Sequence, residues 1–145
     1  MGDNMKQTVI KRAIVVPLLI IYIAILVWLI VFKLYWPPLQ TMRSLNVIPF
    51  AQSMVNWQGE VLYEEIIFNL LVFIPFGVLL GLLMKGKKFP AILFPIFLST
   101  LCIEMIQYVF RIGATDITDV IMNTVGGAVG IGLVTLVGRL AKKTE

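Results

Sequence analysis

Four long apolar runs constrain this chain more than any other feature of its sequence. They cover residues 14–32, 66–84, 89–110 and 120–137, and Glu104 is the one charged residue inside them. Each run has about 18–22 residues, which is enough for a helix to cross the hydrocarbon of a bilayer. Backbone polar groups in lipid must be satisfied within the segment, so such runs form helices. The sequence therefore predicts an all-α, polytopic membrane protein built as a bundle of four transmembrane helices.

The composition favours lipid as the solvent of this chain. Of its 145 residues, 59% are hydrophobic and only 14% are charged, whereas soluble domains carry about 25% charged residues. The length suits a single membrane domain over residues 1–145. Lys6, Lys11 and Arg12 precede the first run as in a signal peptide, but the run is too long and lacks a small-residue cleavage site. We therefore expect this first helix to be retained.

Basic residues predict the orientation of the bundle. The N-terminal tail, the turn at 85–88 and the C-terminal tail carry nine Lys and Arg residues, whereas the loops at 33–65 and 111–119 carry three. Excess basic residues stay on the cytoplasmic side. Both termini are thus expected in the cytoplasm, with the two loops on the outer side of the membrane. The net charge of +4 is accounted for as a topology signal, and no nucleic acid partner is expected.

The first outer loop, residues 33–65, is long and partly apolar. Its middle mixes residues such as Ile48, Phe50 and Trp57 with polar neighbours. This pattern predicts an interfacial or re-entrant segment that lies over the outer end of the bundle.

Polar residues of three predicted helices fall at one depth, near the outer ends. Glu104 lies about 22 Å along the third helix, and the polar residues of the second and fourth helices are close to their outer starts. Glu104, Gln107 and Arg111 of the third helix are spaced i, i+3 and i+7, which places them on one helix face. Asp116, Asp119 and Asn123 at the start of the fourth helix have the same spacing. Ionisable residues inside a membrane are costly and tend to be functional. We expect one polar cleft lined by Asn69, Glu104, Gln107, Arg111, Asp116, Asp119 and Asn123.

Several functions remain open from these residues. The cleft residues could form a purely structural network, or bind a polar head group at the outer leaflet. Alternatively, Glu104, Asp116 and Asp119 could hold a divalent cation or act as acid and base in a membrane enzyme. The chain has no histidine, which excludes Ser-His-Asp and His-based phosphotransfer chemistry. A small multidrug transporter is disfavoured because the first run has no acidic residue, and the oligomeric state is not indicated.

Glycine spacing predicts close helix packing. Gly77 and Gly81 are four residues apart in the second run, as are Gly126 and Gly130 in the fourth. Such small-xxx-small patterns let membrane helices approach each other closely.

Three segments resemble the VanZ-like family of bacterial membrane proteins. They are LNVIPF (45–50), NLLVFIPFGVLLG (69–81) and IEMIQYVFRIGATDITDVIMNTVGGAVG (103–130). The family pattern falls here on Asn69, Phe73, Pro75, Gly77, Glu104, Gln107, Arg111, Asp116, Asp119, Asn123, Gly126 and Gly130.

The resemblance implies a functional context for the cleft. The family's namesake is an accessory factor in glycopeptide-resistance gene clusters that lowers susceptibility to teicoplanin-type antibiotics. A lipid-linked cell-wall precursor or a lipoglycopeptide is accordingly the expected ligand, bound or acted on at the extracellular face. No cofactor is implied beyond the divalent cation considered above, and the resemblance leaves catalysis open.

Overall fold

Helices form nearly all of the described structure. The computed structural model describes residues 2–35, 45–50, 63–111 and 115–143 of the chain. In chain order, its elements are α1 (Gly2–Tyr35), β1 (Leu45–Asn46), α2 (Tyr63–Leu83), α3 (Phe89–Phe110), β2 (Thr115–Asp116) and α4 (Ile117–Lys143). Within these ranges, four helices have the length and apolar character needed to span a membrane. The predicted all-α, four-helix membrane fold is confirmed.

The helix ends agree with the predicted runs to different degrees. The helix α3 spans Phe89–Phe110, the predicted limits. The helix α4 starts at Ile117 and continues to Lys143, beyond the apolar run, because helical hydrogen bonding does not stop where the apolar residues do. The predicted interfacial segment of loop 33–65 lies largely outside the described residues, which within this range are 33–35, 45–50 and 63–65.

Glycines bring α2 and α4 into backbone contact along much of their length. A Cβ atom on Gly77 would overlap the carbonyl oxygen of Gly127, and one on Gly130 would overlap that of Ile74. Gly126 is equally close to the carbonyl oxygen of Leu70. These contacts confirm that the predicted small-residue pattern serves packing. The pair α2 and α4 forms the most extensive helix contact in the described structure, and α3 packs mainly on α4.

The helix α1 packs mainly on α2. Tyr22 stacks on Phe76 with ring centroids 6.0 Å apart, and its hydroxyl donates a hydrogen bond to the carbonyl oxygen of Val72. Leu26 is the α1 residue that enters the buried apolar core. Most other described α1 side chains are exposed, as suits a helix that faces lipid on several sides.

Two short strands join the segment 45–50 to the start of α4. Leu45 pairs with Thr115 and Asn46 pairs with Asp116 in parallel register. The pairing places residues 45–50 at the end of the bundle where α3 ends and α4 begins. This is also the end where α2 starts, because α2 runs antiparallel to α3.

Candidate functional site

A small polar cavity lies near this end of the bundle. Its volume is about 50 Å³, and all four helices contribute to its wall. Apolar residues from α1, α2 and α3 close its sides, while its polar lining comes from α2, α3 and α4. The polar residues are Asn69, Glu104, Gln107, Asp119 and Asn123. Five of the seven residues predicted to form a cleft thus line one cavity.

Glu104 is the central carboxylate of the site. It is only 5% exposed, and its Oε2 accepts a hydrogen bond of 3.0 Å from the backbone N–H of Asp116. With its amide nitrogen facing Glu104, Gln107 donates to Oε1 at 3.1 Å and to Oε2 at 3.3 Å. The i, i+3 spacing on α3 that predicted a shared face produces this contact. Hydrogen bonds to the carboxylate reduce the cost of burying it.

Asn69 and Asp119 connect α2 to α4 beside the cavity. The Asn69 amide nitrogen lies 2.5 Å from Asp119 Oδ1, and both side chains are partly buried. The close approach of the two helices at their glycines makes this short contact attainable. The contact places a carboxylate and an amide in the same wall of the cavity.

Asn123 presents an unpaired acceptor at the cavity. Its amide nitrogen donates to Thr100 Oγ1 at 2.9 Å, whereas its buried Oδ1 has no hydrogen-bond partner among the described residues. Thr100 is completely buried and was not among the predicted site residues. Its position four residues before Glu104, on the same helix face, is a signal that could have identified it.

Asp116 caps α4 and does not line the cavity. Its Oδ1 accepts a hydrogen bond of 2.8 Å from the N–H of Thr118, the second residue of the helix, as an N-cap side chain does. Its Oδ2 accepts one of 3.0 Å from Asn46 Nδ2. Asn46 is a second site residue that sequence reasoning missed, although the segment 45–50 belonged to the family resemblance.

The segment 45–50 makes a further hydrogen bond to α4. The backbone N–H of Phe50 donates to Thr118 Oγ1 at 3.0 Å, and the N–H of Ile48 donates to Asn46 Oδ1 at 3.1 Å. The apolar side chains of Val47, Ile48 and Phe50 are all exposed. The segment therefore covers the start of α4 through polar contacts and keeps its apolar side chains on the surface.

Arg111 also lies outside the cavity lining. It follows the last residue of α3 with φ = 57° and ψ = 39°, the left-handed conformation, and its N–H donates to the Gln107 carbonyl. The left-handed turn ends the helix, so the i+7 position no longer continues the face that holds Glu104 and Gln107. Arg111 is exposed at the same end of the bundle.

The cavity is too small for a head group in this conformation. A volume of about 50 Å³ accommodates a few water molecules at most, since one water needs about 10–15 Å³ by this measure. Within the described ranges, no group of three or more Asp, Glu or Cys side chains is arranged to hold a metal ion. A divalent cation bound by Glu104, Asp116 and Asp119 remains a prediction.

Comparison with known proteins agrees with the resemblance seen in the sequence. The VanZ/LLP1 family model matches residues 19–138. The chain is similar to "Protein VanZ" of Enterococcus faecium, with 46% identity over 121 residues that cover 80% of this chain and 70% of the relative. No solved structure gives a significant match. The family match spans most of the chain and includes every residue of the cavity, and the chain therefore belongs to the VanZ/LLP1 family.

Proposed function

We propose that this protein binds or acts on a cell-envelope lipid or lipoglycopeptide at the outer leaflet of the bacterial plasma membrane. By doing so it lowers susceptibility to teicoplanin-type antibiotics, the role that the family resemblance implies. The observation that carries the proposal is the polar cavity. It joins residues of three helices at the end of the bundle that the distribution of Lys and Arg predicts to be extracellular.

The cavity lining favours a ligand group that donates hydrogen bonds. Glu104 and Asp119 contribute carboxylates, and Asn123 contributes a buried amide oxygen without a partner among the described residues. A buried unpaired acceptor costs about 1–3 kcal/mol, so a donor that reaches it gains binding energy. Amide N–H, hydroxyl and ammonium groups of peptide and sugar head groups are such donors.

The apolar part of the ligand would remain in the lipid. The cavity is closed on the α1 side by Leu26 and Leu29, and large apolar side chains such as Phe68 and Ile106 are exposed near this end. An acylated ligand can therefore approach through the bilayer, with its acyl chain against apolar helix faces. Entry of more than one small polar group requires displacement of α1, which has fewer contacts with the bundle than α4.

A susceptibility assay in a host that lacks the resistance genes tests the proposal. Expression of the wild-type chain is expected to raise the minimal inhibitory concentration of teicoplanin. The near-isosteric changes Glu104→Gln and Asp119→Asn remove the cavity charges and are expected to abolish this increase. Glu64→Gln is the matched control, because Glu64 is an exposed carboxylate in the first turn of α2, outside the cavity lining.

The amount of each variant in the membrane, measured by immunoblot, distinguishes lost function from lost protein. Wild-type expression without any change in susceptibility would refute the proposed role. Cavity variants that accumulate normally and retain full protection would show that the charges of Glu104 and Asp119 are not needed for protection. A parallel assay with a glycopeptide that lacks an acyl chain separates the ligands. Protection against both antibiotics points to a shared cell-wall precursor, and protection against teicoplanin alone points to the lipoglycopeptide.

A further inference from the structure

A second depression lies at the opposite end of the bundle from the polar cavity. On the helix α3, the 15 residues from Phe89 in this depression to Glu104 in the cavity correspond to about 22 Å. This groove has a volume of about 470 Å³ and is bordered by the turn before α3 and by the C-terminal half of α4. Its apolar lining includes Phe89, Ile131 and Leu136, and its basic residues are Lys87 and Arg139.

One face of α4 forms the wall of the groove. Gly132, Leu136 and Arg139 are at positions i, i+4 and i+7, which lie on the same side of a helix. A Cβ atom on Gly132 would meet no other atom within 4 Å. Glycine at this position therefore does not serve helix packing, unlike those that contact α2, and it leaves the groove open.

The two segments that border the groove carry positive charge. Residues 84–103 and 120–143 contain no Asp or Glu. Lys87 and Arg139 are both exposed, and both line the groove, Lys87 from the turn before α3 and Arg139 from α4. A basic site above an apolar floor, at the edge of a membrane-spanning bundle, matches a phospholipid with an anionic head group.

We propose that this groove binds one anionic phospholipid. Its phosphate lies between Lys87 and Arg139, where the guanidinium group can form paired hydrogen bonds with phosphate oxygens. One acyl chain runs along Gly132 and Leu136 towards the bilayer centre. The site is separate from the polar cavity, and its occupancy does not depend on the function proposed for that cavity.

Native mass spectrometry of the full chain tests this proposal. The protein is presented with equimolar phosphatidylglycerol and phosphatidylcholine of the same acyl chains. The wild type is expected to retain phosphatidylglycerol about 30-fold more strongly, because two basic residues contribute to binding of an anionic lipid. The double variant Lys87→Gln/Arg139→Gln is expected to lose this preference. The control Lys142→Gln/Lys143→Gln removes the same charge at exposed positions outside the groove lining and is expected to keep it.

A second pair of variants tests the groove itself. Gly132→Leu fills the space that glycine leaves open and is expected to remove the bound lipid. Gly138→Leu is its control on the same helix, because a Cβ atom there also meets nothing within 4 Å and Gly138 does not line the groove. Equal retention of the two lipids by the wild type would overturn the proposal. So would undiminished binding in Gly132→Leu, or an equal loss in the two charge variants.

Discussion

The backbone contact between α2 and α4 allows a quantitative test of the packing. In Gly77→Ala, the added methyl group overlaps the carbonyl oxygen of Gly127. The obstructing atom belongs to the backbone, so it can move only if the two helices separate. This substitution is therefore expected to destabilise the bundle, although alanine is the better helix former.

The expected loss follows from two opposing terms. Overpacking costs about 1–3 kcal/mol, and a backbone obstruction belongs at the upper end, about 3 kcal/mol. The higher helix propensity of alanine offsets about 1 kcal/mol. The free energy of unfolding should thus fall by about 2 kcal/mol in Gly77→Ala.

Two other glycines provide internal controls. In Gly81→Ala, the new methyl group would lie 3.4 Å from Val134 Cβ, at the edge of ordinary contact, so slight crowding should offset the propensity gain and leave the stability near that of the wild type. In Gly132→Ala, it would meet nothing within 4 Å, so the propensity gain of up to about 1 kcal/mol should appear as added stability.

The three variants can be compared by unfolding in mixed micelles, with the helical circular dichroism signal followed as the fraction of denaturing detergent rises. The expected order of stability is Gly132→Ala, then wild type and Gly81→Ala together, then Gly77→Ala. If Gly77→Ala were as stable as Gly132→Ala, α2 and α4 would not be in backbone contact, and the packing described above would be wrong.

Two hydrogen bonds of the site lead to further predictions. Thr100→Val keeps the side-chain shape but removes the acceptor for Asn123, so the same assay should show a loss of about 1–3 kcal/mol. Thr100→Ser keeps the acceptor and loses only one buried methyl group, so its loss should be about 0.5–1.5 kcal/mol. Asp116→Ala removes the cap on Thr118 N–H and should lower the free energy of unfolding by about 0.5–2 kcal/mol. Asp116→Asn should retain most of the stability because asparagine also caps helices. Equal losses in the alanine and asparagine variants would contradict the capping role.

Sequence reasoning was most reliable where one physical requirement dominates. The hydrocarbon thickness requires runs of about 20 apolar residues, so the four helices were predictable, and α3 matches its predicted limits. Helical periodicity likewise brought Glu104 together with Gln107, and placed Asp119 and Asn123 in the same cavity wall. These groupings follow from spacing within single helices.

The remaining features depend on how separate segments meet. Arg111 leaves the predicted face because the chain adopts a left-handed conformation at that residue, which an i+7 spacing does not reveal. Asn46 reaches Asp116 through a pair of strands with only two residues each. Such strands are too short to be recognised from an alternation of apolar and polar residues. The glycine pattern indicates contact between α2 and α4, but it does not give the closeness of that contact or the size of the cavity beside it.

The contacts of Asp116 have a thermodynamic consequence for the site. Its backbone N–H is bound to Glu104 in the interior, while its carboxylate is bound to Asn46 at the end of the bundle where α4 begins. One residue thus belongs both to the cavity wall's hydrogen-bond network and to the anchor of the segment 45–50. A ligand that changed the contact between Glu104 and Asp116 would therefore be expected to change how firmly that segment is held, and this coupling would be reciprocal.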